Sequence, residues 1–217
     1  MKLGLLINIG KFLIPLSVII LNIIFPGTRF GWIFAVYVAL IAVERSFETF
    51  YTGKFKSNKE NMERDWCFKA VASSYIIMAF IMILEFFYAP REIKLPLVLS
   101  GGIIFITALI LRIQSINALG GTWQLNSSSR PLIINKGPYK YMRHPIYLGV
   151  ILESIAIPLV PGTYYALLFS LFVCIPLIVF KTYSEEKMLL TAYGEGYKDY
   201  MLRRWAFLPF KKGFYKQ

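Results

Sequence analysis

Long apolar blocks alternate with short polar gaps along this chain. The blocks run over about residues 3–25, 30–50, 66–89, 95–119, 145–160 and 163–181. Each is about 16–25 residues long, and roughly 20 residues of helix cross a bilayer core. The pattern therefore predicts an all-α, multi-pass transmembrane bundle of about six spans. Pro26-Gly27-Thr28 and Pro161-Gly162 read as turns, and the second closes the last two blocks into a helical hairpin. The longest irregular gap, 120–143, holds Gly120-Gly121, Ser127-Ser128-Ser129 and Pro131. From Tyr183 onward the chain is charged and amphipathic, ending in a basic tail with Lys211, Lys212 and Lys216. With no internal repeat or low-complexity linker, 1–217 reads as one integral membrane domain, with N-terminal spans over 1–94 and the remaining spans and long polar gap over 95–217.

Composition agrees with this pattern. The chain is 57% hydrophobic, against about 45–50% for an ordinary soluble domain. Its net charge of +12 would suggest nucleic acid in a soluble protein. Here the basic residues cluster between apolar blocks, which fits topology and anionic headgroups instead. Six spans put both termini on one side. That side receives sixteen Lys and Arg in its loops, and the other receives only Arg29, Arg91 and Lys94. The positive-inside rule then predicts a cytoplasmic N-terminus, 120–144 segment and C-terminal region. Cys67 and Cys174 lie far apart, no CxxC occurs, and there is one histidine, so neither a metal site nor a disulfide framework is expected. The opening MKLGLLINIGKFLIPL has an early Lys and an apolar run but no small-x-small cleavage pattern, and reads as a retained first span.

Candidate chemistry concentrates in KGPYKYMRHPIYLG, residues 136–149, which holds that one histidine, His144. Gly137-Pro138 reads as a turn, and Pro145 suits the first turn of the fifth helix. A helix N-terminus leaves backbone N–H groups that favour an anion, and Arg143, His144, Tyr139, Tyr141 and Tyr147 surround it. The same residues would also suit an interfacial aromatic and basic belt. A second stretch, SEEKMLLTAYGEGYKDY over 184–200, places Glu185 and Glu186 at the expected start of a helix past the sixth span, where its dipole favours acids. Gly194 and Gly196 are expected to break that helix. Arg112 lies inside an apolar block, and such a charge pairs or serves a site; Glu85 and Glu153 are its candidate partners.

Taken together, GPYKYMRHPIYLG and, about 35 residues later, EEKMLLTAYGEGYKDY resemble the membrane-embedded isoprenylcysteine carboxyl methyltransferase family and its bacterial relatives. The resemblance covers about 112–210, including the late Leu208-Pro209-Phe210, with a helical hairpin between the motifs. It implies S-adenosylmethionine bound without a Rossmann domain, consistent with the absence of a GxGxxG motif. By matching positions it implies a cofactor site lined by Gln124, Pro131, Leu132, Ile133, Ile134, Tyr139, His144, Pro145, Ile146, Tyr147 and Glu185. Lys181 matches a basic substrate-contacting position that is an arginine in the eukaryotic enzymes; lysine keeps the charge and loses the bidentate fork.

The chemistry of these residues suits that cofactor. Arg143 or His144 can hold its carboxylate, Glu185 its hydroxyls or ammonium, and aromatic faces its sulfonium. Arg143 and His144 are the candidate catalytic residues. A carboxylate acceptor needs no base, whereas a phenol, enol or amine would need one, and His144 is the candidate. The acceptor classes are an isoprenylcysteine-type carboxylate, a lipid hydroxyl and a phospholipid amine. The expected partners are a lipophilic or prenylated substrate and membrane lipids. The competing reading is an NADPH-dependent sterol or enone reductase, which shares an RHP-like motif; the Glu185-Glu186 pair suits a methyltransferase better.

Overall fold

A computed structural model describes residues 14–24, 31–53, 66–89, 93–120 and 134–207. These fold as seven helices: α1 Ile14–Ile24, α2 Gly31–Gly53, α3 Trp66–Tyr88, α4 Leu95–Leu119, α5 Pro145–Leu159, α6 Tyr164–Tyr193 and α7 Glu195–Arg203. No strand occurs among the described residues; a single parallel bridge joins Met142 to Trp205. The all-α expectation holds. Three helices, α3, α4 and α6, are long and apolar enough to cross a membrane. Helix α5 has 15 residues, about 22 Å at the usual rise, and is shorter than a bilayer core. Much of the predicted first span, the turn at 26–28 and most of the gaps at 52–65 and 90–94 lie outside the described residues.

The helices are sided in the manner of a bundle in lipid. On α4, Ile103, Ile106, Ile110 and Ile113 recur every three or four residues and are all more than half exposed. The opposite face buries Gly101, Ala108, Arg112, Ser115 and Leu119. Large apolar groups outside and small or polar groups inside is the order expected where lipid is the solvent. The main core joins Val18 of α1, Phe34 and Val38 of α2, Met78, Met82 and Phe87 of α3, Ile157 of α5, and Ala166 and Cys174 of α6. Polar ties cross it: Tyr37 donates to the Ile157 carbonyl at 3.0 Å and Tyr75 to that of Val150 at 2.6 Å.

Arg112 pairs with Glu153 rather than Glu85, and Arg45 of α2 shares the same carboxylate oxygen. Gly149 makes this possible. A Cβ there would stand 2.4 Å from the Arg112 Cγ, so the arginine stem crosses α5 where no side chain intervenes. Glu85 instead accepts from the backbone N–H groups of Tyr165 and Ala166 at 2.8 and 3.1 Å. A carboxylate on α3 thus caps α6, whose own N-cap, Thr163, makes no side-chain cap.

The predicted hairpin turn is present, with Gly162 at φ 73° and its N–H on the Leu159 carbonyl at 3.1 Å. Two expectations about the chain beyond this turn need correction. Helix α6 does not stop near Lys181 and restart at Glu185; it runs unbroken to Tyr193, with a π turn over Ser170–Cys174. Pro176 accounts for that turn: it cannot donate, and its ring would clash with the carbonyl four residues back. The wider turn is marked by the Ile175 N–H reaching the Ser170 carbonyl. Past Lys181 the residues are mostly strong helix formers, so nothing ends the helix until Gly194, at φ 55°. Glu185 and Glu186 therefore sit in mid-helix, away from any dipole end. Gly196 breaks nothing and lies inside α7.

Candidate active site

The described residues ahead of α5, 134–144, have little regular structure of their own. One 3₁₀ turn spans Gly137–Lys140, entered through Gly137 at φ 54°, where a Cβ would meet the Ala118 Cβ at 3.1 Å. Pro145 is the first residue of α5 and His144 its N-cap, yet the imidazole caps nothing. It turns instead to α6, placing Nε2 3.0 Å from Glu186 Oε1. The Arg143 guanidinium reaches the same oxygen at 3.1 Å. One turn along α5, Tyr147 donates to Glu185 Oε2 at 2.6 Å. Two consecutive acids on α6 thus take different partners from the 143–147 segment: Arg143 and His144 for Glu186, Tyr147 for Glu185.

At about 1.5 Å per residue, the 30-residue α6 exceeds a bilayer core by roughly half, and the 184–193 part extends beyond its apolar portion. Glu186 lies there, buried. Burial pushes its carboxyl up, but the His144 hydrogen bond and the charges of His144 and Arg143 more than offset this and hold it below the usual carboxylate range. Tyr197 of α7 faces the same group. Burial, then the field of Glu186, pushes its phenol well above the ordinary value.

The C-terminal segment closes over this stretch. Tyr200 donates to the Tyr139 carbonyl at 3.2 Å. Arg204 donates through Nε to the Lys140 carbonyl at 2.7 Å and through Nη2 to Asn135 Oδ1 at 3.1 Å. The N–H groups of Arg143 and His144 donate to the carbonyls of Trp205 and Ala206 at 3.1 and 2.9 Å.

Of the residues predicted to form the site, the structure brings together Arg143, His144, Tyr147 and Glu185. Tyr139 joins through its carbonyl. Pro145 and Ile146 are buried, and Ile146 packs with Ile116 and Leu119, with Ile134 and Tyr139 beside them. Lys181 stands four residues before Glu185, on the same helical face, half-buried. Gln124, Pro131, Leu132 and Ile133, like Leu208-Pro209-Phe210, lie outside the described residues. An open groove of about 390 Å³ lies between α4 and the 3₁₀ turn, lined by Leu111, Gln114, Gly137, Pro138, Lys140, Tyr141 and Met142; none of the predicted site residues lines it. Sequence reasoning singled out Glu185 for the site and left out Glu186, Tyr200 and Arg204. Adjacent acids look alike until the facing helix is known, and no spacing rule pairs 139–140 with 200–204. Among the described residues no group of three His, Cys, Asp or Glu could hold a metal.

The helical fold and its membrane-capable segments define an integral membrane protein. The sequence model of the isoprenylcysteine carboxyl methyltransferase (ICMT) family matches residues 101–191. The Bacillus subtilis "Uncharacterized protein YpbQ" is 30% identical over 168 residues, covering 72% of this chain and 96% of that protein. The Tribolium castaneum "Protein-S-isoprenylcysteine O-methyltransferase" is 30% identical over 131 residues, covering 57% of this chain and 43% of the beetle protein. No solved structure matches the chain. The chain belongs to the ICMT family, and that membership favours the methyltransferase reading over the reductase one.

Proposed function

We propose that this protein transfers a methyl group from S-adenosylmethionine to a lipophilic acceptor at the cytoplasmic membrane face, with an isoprenylcysteine-type carboxylate as the first candidate. The observation that carries this reading is the pairing of Arg143 and His144 with Glu186, beside that of Tyr147 with Glu185. The acceptor assignment is supported by the beetle relative's name. The cytoplasmic assignment is supported by the positive-inside count.

The residues present fit the cofactor. Arg143 is nearly buried, its side chain 8% exposed, and its Nε meets no acceptor among the described residues. A buried guanidinium donor left over in this way suits a carboxylate. Arg143 would hold the amino-acid carboxylate, with Glu185 and Tyr147 taking polar groups alongside and Ile134 and Tyr139 part of the apolar wall. S-adenosylmethionine supplies the activated methyl group when bound there. Glu186 keeps His144 in place by a hydrogen bond and Arg143 by an ion pair. Helix α6 and the 134–147 stretch exclude water, and alignment supplies most of the rate in a displacement of this kind.

A carboxylate acceptor is already ionised at neutral pH, so His144 then has only a holding role. A hydroxyl acceptor would need its proton taken; with Nε2 donating to Glu186, His144 Nδ1 is the ring nitrogen left to take it. Lys181 would meet an anionic acceptor as a single point charge.

The test is methyl transfer by purified protein from radiolabelled S-adenosylmethionine to an S-farnesylated cysteine with a free carboxylate, and to total membrane lipid extract. Alkali-labile label on the farnesylcysteine is the expected result. Alkali-stable label on a lipid would move the acceptor to a hydroxyl or amine. Absence of label from both, with stabilisation by NADP and not by S-adenosylhomocysteine, would overturn the proposal.

A further inference from the structure

The 135–144 stretch carries Arg143 and His144, yet its own secondary structure is a single 3₁₀ turn. Most of its outward backbone bonding is supplied from sixty residues away. Two carbonyls, Tyr139 and Lys140, are taken by Tyr200 and Arg204. Two N–H groups, Arg143 and His144, are taken by the carbonyls of Trp205 and Ala206. Arg204 also holds the Asn135 side chain and lies 5.0 Å over the Tyr200 ring. Tyr200 in turn packs on Tyr197, their ring centroids 6.0 Å apart, and Tyr197 is 4% exposed.

The same segment is tied to the other wall of the site. Helix α7 follows α6 after one left-handed residue, Gly194, so its position is set by the helix that bears Glu185 and Glu186. The clamp therefore spans both halves of the site, with the Arg143–His144 side gripped by 200–206 and the acidic side joined to it through Gly194. Removing it would leave the Arg143 and His144 backbone donors without partners and free the 3₁₀ turn to move against α6.

We propose that Tyr200 and Arg204 are positioning residues, which set the register of Arg143 and His144 against Glu185 and Glu186 without touching cofactor or acceptor. Arg204 does this as a fork. Nε and Nη2 diverge to a backbone carbonyl and a side-chain oxygen, and a lysine has one nitrogen to serve both. The inference deepens the proposed function, since it concerns the same site, but its structural half stands without that reading.

The test uses the full chain in lipid nanodiscs and two readouts. Backbone amide exchange over 138–145 reports the clamp directly. Arg204→Ala should accelerate it about tenfold or more, Arg204→Lys less, and Tyr200→Phe about two- to tenfold, the range for one lost hydrogen bond. Exchange in α3 and the thermal midpoint without cofactor should stay as in the parent, which a general loss of structure would not allow. S-adenosylhomocysteine titration reports the consequence. Arg204→Ala should weaken binding about tenfold and raise the KM for S-adenosylmethionine with a smaller effect on kcat. Unchanged exchange over 138–145 in Arg204→Ala overturns the clamp. Faster exchange with unchanged S-adenosylhomocysteine affinity overturns the positioning role. If the parent binds no S-adenosylhomocysteine while exchange responds as expected, the cofactor reading fails and the clamp stands.

Discussion

His144 Nε2 stands 3.0 Å from Glu186 Oε1, joining the N-cap of α5 to the middle of α6. The contact closes the site across the helical hairpin. Because Arg143 converges on the same oxygen, Glu186 is the residue whose loss should affect most groups at once. Glu186→Gln keeps the shape and removes the charge that two basic groups share. We expect S-adenosylhomocysteine binding to weaken by about tenfold to a hundredfold, as charge-assisted hydrogen bonds of about 1.5–3 kcal/mol imply. Tyr147→Phe removes one bond to Glu185 and should cost only about two- to tenfold. Calorimetric titration of both variants checks the order, and an equal loss in the two would remove the special place given to Glu186.

The depressed Glu186 carboxyl gives a pH dependence of definite sign. A group whose folded value lies below its unfolded value, about 4.3 for Glu, stabilises the fold above that unfolded value. The contribution is lost as pH falls through the folded value. The thermal midpoint should therefore decline below about pH 4, and Glu186→Gln should lose part of that decline. Midpoints measured between pH 3 and 7 for parent and variant provide the comparison.

Glu153 is fully buried and holds arginines from both α2 and α4. Glu153→Ala takes the shared carboxylate from both arginines, Arg45 keeping Glu44, and removing one partner of a buried pair costs about 3–5 kcal/mol. Replacing Arg112 and Glu153 together by apolar residues of similar volume should restore most of that stability, because Arg45 keeps its pair with Glu44. Unfolding in detergent with a denaturant series distinguishes the two variants.

Gly149→Ala puts a methyl group 2.4 Å from Arg112 Cγ and 3.0 Å from its Cδ. The arginine is fixed at its far end by Glu153, so its stem cannot simply swing away. The expected loss is about 1–3 kcal/mol, as for other overpacked sites, read as a lower thermal midpoint. Gly102→Ala, with no atom within 4 Å of the added Cβ, is the matched control and should change little.

Glu85→Ala should destabilise by about 0.5–2 kcal/mol, the range for a lost N-cap, because the Tyr165 and Ala166 N–H groups lose their acceptor. The loss should register as faster amide exchange at the start of α6, with the exchange of α4 unchanged.

Hydropathy by itself located the helices closely, because burial in lipid demands continuous apolar runs and leaves few alternatives. The predicted block at 95–119 coincides with Leu95–Leu119, and that at 66–89 with Trp66–Tyr88. The motif residues were also legible, since a single histidine between two prolines and paired acids stand out against an apolar chain. Three matters were decided only by tertiary structure. Which of two adjacent acids meets His144 depends on the rotation of α6, and neighbours in a helix differ by about 100° around its axis. Whether Arg112 pairs with Glu153 or Glu85 depends on which helix packs beside α4, a relation that no local pattern carries. The hold of Tyr200 and Arg204 on 139–140 depends on main-chain carbonyls, which every residue possesses and no sequence can mark.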